Sequence, residues 1–186
     1  MVYLTSLWLP IVLSAVAVFL GSSIVHMVLK YHQSDYKAMP DEAAVQAAMR
    51  AAGPAPGHYY MPHCLDPKEL ADPDVKAKFE DGPVAFITVL PSGVPSMGKP
   101  LALWFVYCLV LSALVAYLTG RTVAPGTEYL TVFRVAGTAA FLGYAGATAA
   151  DSIWKGAPWS ITIKVLIDGL FYALLTAGVF GWLWPS

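Results

Sequence analysis

The stretch richest in groups that could do chemistry is GHYYMPHC, residues 57–64, which holds two of the four histidines and one of the two cysteines. Imidazole nitrogens and a thiolate are ligands for zinc and other transition metals. The spacing suits a metal poorly, because His58 and His63 are five residues apart and Cys64 directly follows His63. A metal site here would need a further ligand from elsewhere: His26, His32, Asp35 or Asp66.

Two other interpretations of residues 57–64 remain open. A nucleophilic Cys64–His63 pair is disfavoured, since such pairs act through space with an orienting third group, and sequence neighbours seldom have that geometry. A lid or docking surface is favoured by the tyrosines and the methionine, with a metal site using His58, His63, Cys64 and His32 second. The chain has no GxSxG, P-loop or GxGxxG motif, so hydrolase, NTPase and dinucleotide-binding functions lack support. We therefore favour a non-enzymatic function.

A second group of candidates lies inside apolar stretches, where a charged side chain costs about 2.5 to 3.5 kcal/mol on insertion scales. Asp168 lies roughly 10 Å inward from Ile161 at ~1.5 Å per residue, and Lys164 is one turn earlier on the same helix face. These two residues could be an internal ion pair that fixes packing. Alternatively, they belong to a titrating or ligand-binding pocket. The predicted polar cluster comprises His26, Asp151, Lys164 and Asp168.

The elements that must position these residues are long apolar segments. The chain is 58% hydrophobic and only 12% charged, about half the charge of soluble domains, which indicates a lipid environment. Each segment approaches the ~20 residues needed to cross a bilayer. We predict an all-α membrane protein with four transmembrane helices in an antiparallel bundle, at about residues 4–29, 101–118, 129–150 and 161–184. The predicted regions are helix 1 (1–29), a juxtamembrane loop (30–99) and helices 2 to 4 (100–186).

The long loop carries signals for local structure. Met39-Pro40-Asp41-Glu42 is typical of a helix start, and Asp72-Pro73 predicts a second start with Asp72 as the N-cap. The β-branched run VAFITVL at 84–90 predicts one strand or a segment in the membrane interface. A single strand needs a partner, either residues 58–65 or another chain.

Small residues at four-residue spacing predict where the helices touch, because lipid offers no hydrophobic drive for helix association and close backbone approach must replace it. Cys108 falls in such a stripe in helix 2 and is interpreted as a packing residue. The predicted packing stripes of helices 3 and 4 are Ala139, Gly143 and Ala147, and Gly169, Ala173, Ala177 and Gly181. Asp151 continues the stripe of helix 3 by one more turn, which predicts that it faces the bundle.

Lysine and arginine are concentrated in the first loop, with only Arg121 in the second and Lys155 in the third. By the positive-inside tendency, the first and third loops face the cytoplasm and both termini face outward. The net charge of −1 gives no reason to expect a nucleic acid partner.

The ending IDGLFYALLTAGVFGWLWP, residues 167–185, together with the four-segment topology, resembles small four-helix bacterial membrane proteins of unknown function. The resemblance covers the topology and about twenty terminal residues, and GHYYMPHC has no counterpart in it. It implies a bacterial integral membrane protein and assigns no catalytic residue. We expect this protein in the bacterial inner membrane.

The favoured function is a non-enzymatic accessory or interaction subunit, whose partners are the bilayer and either another membrane protein or a second copy of the chain. The first alternative is a small dimeric transporter or ligand-binding protein that uses Asp168, Asp151 and His26. The second is a membrane metalloprotein built on the 57–64 loop; the cofactor is otherwise unknown.

Overall fold

The computed structural model describes residues 1–186, of which 69% are helical. Four helical segments are long and apolar enough to cross a membrane: 4–29, 98–122, 129–155 and 159–182. The α-helices are α1 (Trp8–Ser23), α2 (Glu42–Ala52), α3 (Pro73–Asp81), α4 (Gly98–Thr122), α5 (Tyr129–Ala145), α6 (Ala149–Lys155) and α7 (Trp159–Trp182), and the strands are β1 (Gly57–Met61) and β2 (Ala85–Val89).

The chain folds as two compact units, one of residues 1–36 with 96–186 and one of residues 37–95. In the first unit, α7 packs against α5 and α1, and α4 packs against α1 and α5. The N–H of Val2 donates to the carbonyl of Gly120 at 2.8 Å, and that of Gly126 donates to Pro185 at 2.8 Å. Both chain termini therefore lie at the same end of the helices as the α4–α5 connection.

Glycine and alanine let α7 approach its neighbours closely. Gly169, Ala173 and Ala177 are buried, and a Cβ on Gly169 would lie only 2.5 Å from the Cβ of Ala145 on α5. A Cβ on Gly181 would lie 2.7 Å from the Tyr129 ring. The contact between α5 and α7 thus depends on side chains of minimal size.

The packing face of α5 differs from the predicted stripe. Ala139 is half-buried and Ala147 is exposed beyond the end of the helix. Gly143 contacts α4, where an added Cβ would lie 2.3 Å from Leu111 Cδ1. The prediction assumed a single contact stripe, whereas α5 packs against two helices. Its buried residues are Val132, Ala136, Ala140 and Ala145.

The end of the first apolar segment is irregular. After α1 the chain forms wider π-helical turns over Ile24–Leu29, and Lys30 then adopts a left-handed conformation with φ 53°. Such a conformation is uncommon outside glycine, and it reverses the chain. The short 3₁₀ turn Tyr31–Asp35 that follows lies against α7, so these residues belong to the helical unit and not to the loop.

The 37–95 unit contains two short helices and a hairpin. Asp41 caps α2 by accepting from the N–H of Ala44 at 3.0 Å, and Asp72 caps α3 by accepting from Asp74 at 2.8 Å. Strands β1 and β2 pair antiparallel. The partner of β2 is therefore the 57–61 segment of the same chain, one of the two partners that the sequence allows. No residue between Lys37 and Pro95 is buried.

Candidate functional site

Asp168 is the centre of a polar site in the helical unit. It lies on α7, within a segment apolar enough to span a membrane, and its side chain is 7% exposed. Oδ1 accepts a hydrogen bond from the hydroxyl of Tyr31, and Oδ2 lies 2.6 Å from Nε2 of His32. Both partners come from the 3₁₀ turn that Lys30 directs back onto α7.

The contacts continue from His32 through Asp35 to Lys164. Nδ1 of His32 lies 2.6 Å from Oδ2 of Asp35, and the Lys164 ammonium donates to the other oxygen of that carboxylate. Lys164 also donates to the carbonyl of Tyr31 at 2.9 Å and to Ser34 Oγ at 2.8 Å. Hydrogen bonds from Lys164, and then from His32, hold the pKa of Asp35 below its ordinary value, so Asp35 is a carboxylate acceptor.

The two contacts of His32 fix a proton count. A neutral imidazole has one N–H, and an ionised carboxylate can only accept. Since each ring nitrogen of His32 faces a carboxylate oxygen at 2.6 Å, this group of three side chains holds one proton more than a neutral imidazole would bring.

A second imidazole stands beside this chain of contacts. The ring of His26 stacks on that of His32 with centroids 4.6 Å apart. Its Nε2 lies 4.0 Å from Oδ2 of Asp168 and 3.4 Å from the hydroxyl of Tyr172, and its side chain is 49% exposed. His26, His32 and Asp168 place one ligand atom each within 4.8 Å of one another. We call these three residues with Asp35 the His–Asp cluster.

His26 also lines a cavity of about 270 Å³ between α1 and the start of α4. The rest of the lining is mostly apolar and includes Met27, Met97, Leu101 and Trp104. The indole N–H of Trp104 donates to Ser22 Oγ at 2.8 Å, which ties the two helices beside the cavity. The cluster is therefore bordered on the His26 side by open space.

Comparison with protein-family models, curated proteins and solved structures finds no match to this chain. What the site does must therefore be inferred from its own geometry and chemistry.

The structure brings together His26, Lys164 and Asp168 of the predicted polar cluster. Lys164 pairs with Asp35 and not directly with Asp168, because its long side chain reaches the 3₁₀ turn. Asp151 lies apart from these contacts, with a side chain 59% exposed and paired to Lys155 at 2.7 Å. The helix is interrupted between α5 and α6, so Asp151 does not extend the α5 stripe as predicted.

The residues predicted as a lid or metal site separate into different units. His32 lies in the His–Asp cluster, whereas His58, His63 and Cys64 lie in the 37–95 unit. Nδ1 of His58 lies 3.1 Å from the Thr88 hydroxyl, and these three residues form no group of three ligand atoms. Desolvation, and then the nearby carboxylate of Glu69, raise the pKa of the Cys64 thiol, which does not favour a reactive thiolate.

Tyr31 and Tyr172 were not among the predicted site residues, and Asp35 was predicted only as a further ligand for a metal at the 57–64 loop. One signal was readable: in YHQSD, residues 31–35, a histidine and an aspartate stand three apart directly after an apolar segment. Residues at i and i+3 align in a 3₁₀ turn, which is how His32 and Asp35 come to share a hydrogen bond.

Proposed function

We propose that the protein is an integral membrane protein that binds a small cation at the His–Asp cluster. The observation that carries this proposal is the burial of Asp168, with two imidazoles around it, on a helix apolar enough to span a membrane. A carboxylate within such a segment is costly, and residues of this kind mark ion or substrate pathways among other functional sites.

The position of His26 favours binding over a purely structural role. A network that only stabilised helix packing would not require His26, because His32, Asp35 and Lys164 already pair with one another. His26 makes no polar contact shorter than 3.4 Å and is half exposed beside the cavity. The His26 imidazole is therefore available as a ligand to a cation that enters from the cavity.

Calorimetric titration of the full-length protein in mild detergent tests this proposal, with Zn²⁺, Mg²⁺, K⁺ and tetramethylammonium as separate probes. We expect saturable binding of at least one cation, its loss in Asp168→Asn, and its retention in Asp151→Asn, because Asp151 is exposed and outside the cluster. Binding of none of the four, or equal binding by both variants, would refute the proposal.

We further propose that the four apolar helices form an antiparallel bundle across a bacterial inner membrane. The concentration of lysine and arginine in the first loop supports a cytoplasmic 37–95 unit and outward-facing termini. Should the cation be transported, a dimer would be required, since four helices are few for alternating access unless two chains supply the halves.

A second function, as an accessory subunit of a membrane complex, is favoured by the absence of any buried residue in the 37–95 unit. Small units without a core, and isolated two-stranded hairpins, are marginally stable alone. Apolar side chains of the hairpin region remain exposed, among them Met61 at 41%, Phe86 at 53% and Leu90 at 72%. We propose that a protein partner covers them.

Site-specific photo-crosslinking in native membranes tests the accessory function. A benzophenone amino acid at position 86, on the hairpin, should give a protein adduct under light. The same group at position 76 serves as the control, because Lys76 is a charged, exposed residue of α3. No adduct from position 86, or equal adducts from both positions, would argue against a partner at this surface.

A further inference from the structure

The geometry points to a divalent transition metal, of the Zn²⁺ type, as the cation at the His–Asp cluster, with Nε2 of His26, Nε2 of His32 and Oδ2 of Asp168 as its ligands. This inference rests on the proposed cation-binding function and names its ligand class. No residue of the 57–64 loop takes part in it.

The distances between the ligand atoms are close to those that a bound metal requires. Metal–ligand bonds of roughly 2.0 to 2.2 Å in a tetrahedral arrangement place neighbouring ligand atoms about 3.3 to 3.5 Å apart. Oδ2 of Asp168 is 2.6 Å from Nε2 of His32 and 4.0 Å from Nε2 of His26. The first contact must lengthen and the second must shorten, each by less than about 1 Å. The two imidazole nitrogens, which lie within 4.8 Å of each other, must also approach, and the rings must turn out of their stacked arrangement so that both lone pairs point at the metal.

The donor set selects the class of metal. Two imidazole nitrogens and one carboxylate oxygen suit Zn²⁺, Co²⁺, Ni²⁺ and Fe²⁺, whereas Mg²⁺ and Ca²⁺ prefer oxygen ligands. The hydroxyl of Tyr31 donates a hydrogen bond to Oδ1 of Asp168. Oδ2 is therefore the single carboxylate oxygen available to the metal. Three protein ligands keep a fourth position free for water or a small molecule, as in reactive zinc sites.

Asp35 supplies an outer contact of the kind found around metal-bound histidines. Such a histidine usually donates its other ring N–H to a carboxylate, which fixes its tautomer and orientation. Nδ1 of His32 lies 2.6 Å from Asp35 Oδ2, and Lys164 in turn holds that carboxylate. The metal takes the place of the proton between His32 and Asp168, and this proton passes to solvent while the Nδ1 proton stays.

Metal titration of the full-length protein after chelator treatment tests the inference. We expect one equivalent of Zn²⁺ by calorimetry, one equivalent of Co²⁺ with visible absorption bands of a four- or five-coordinate ion, and no competing Mg²⁺ binding. Asp35→Asn should weaken binding by roughly 10- to 100-fold, as loss of such an outer partner does. His26→Gln, His32→Gln and Asp168→Asn should each weaken it further.

His26→Gln is the decisive variant, because His26 is half exposed and makes no polar contact shorter than 3.4 Å, so its loss should leave the fold intact. His58→Gln is the matched control and should bind as the unmodified protein does. Zn²⁺ binding that is unchanged in His26→Gln, or that depends on His58, overturns the inference. If only K⁺ or tetramethylammonium binds in an Asp168-dependent manner, the metal assignment falls while the cation-binding function stands; if nothing binds, both fall.

Discussion

The Asp168→Ala variant is expected to lose about 3 to 5 kcal/mol of unfolding free energy, the usual cost of removing one partner from a buried ion pair. The substitution leaves the Tyr31 hydroxyl and Nε2 of His32 without their acceptor. It also removes one of the two carboxylates that face the ring nitrogens of His32. Reversible unfolding in mixed detergent micelles measures the change.

Asp151→Ala is the natural control for this measurement. Its carboxylate is 59% exposed and pairs with Lys155 one turn along the same helix. Exposed pairs of this kind contribute about 0.3 to 0.5 kcal/mol, so the variant should unfold almost as the unmodified protein does. Equal losses in the two variants would show that the contacts of Asp168 are not what stabilises this end of the helices.

We expect Gly169→Ala to destabilise the protein by about 1 to 3 kcal/mol, the typical cost of overpacking. The added methyl group would lie 2.5 Å from the Cβ of Ala145 and 3.4 Å from its Cα. Neither atom can rotate away, since both are fixed to the backbone of α5. The helices must move apart, and the contacts along their shared face must loosen with them.

Two further variants isolate this packing cost. Gly178→Ala lies on the same helix, where an added Cβ would meet only the Tyr129 hydroxyl, at 3.8 Å. It should be neutral or stabilising by about 0.5 to 1 kcal/mol, the gain in helix propensity that both alanine variants share. Combining Gly169→Ala with Ala145→Gly exchanges the methyl group across the interface. If the double variant is no more stable than Gly169→Ala alone, the predicted clash is not the cause.

The long helices and the prominence of Asp168 could be read from the sequence because the signals are local. A membrane-spanning length of apolar residues is visible in one segment at a time, and an aspartate within such a segment stands out without knowledge of the fold. The Gly169, Ala173 and Ala177 stripe was visible for the same reason, since helical periodicity alone places these residues on one face.

The partners of Asp168 could not be predicted from the sequence, because they depend on the left-handed backbone conformation of Lys30. Lysine gives no sequence signal for a left-handed turn, yet the reversal at Lys30 is what places Tyr31 and His32 against α7. Asp151 was misplaced for a related reason. Extending the α5 stripe by one more turn assumes a continuous helix, and the helix is interrupted before Ala149.

The separation of His32 from Asp168 by 136 positions has a consequence for biogenesis. A ribosome delivers residues 26–35 early, and their contacts with Asp168 and Lys164 cannot form until α7 has been synthesised. Helix α7 in turn carries Lys164 and Asp168, and their polar partners His32 and Asp35 come from the other end of the chain. The cluster is therefore incomplete until α7 packs against the 3₁₀ turn, and a chain stalled before α7 would leave His32 without its contact to Asp168.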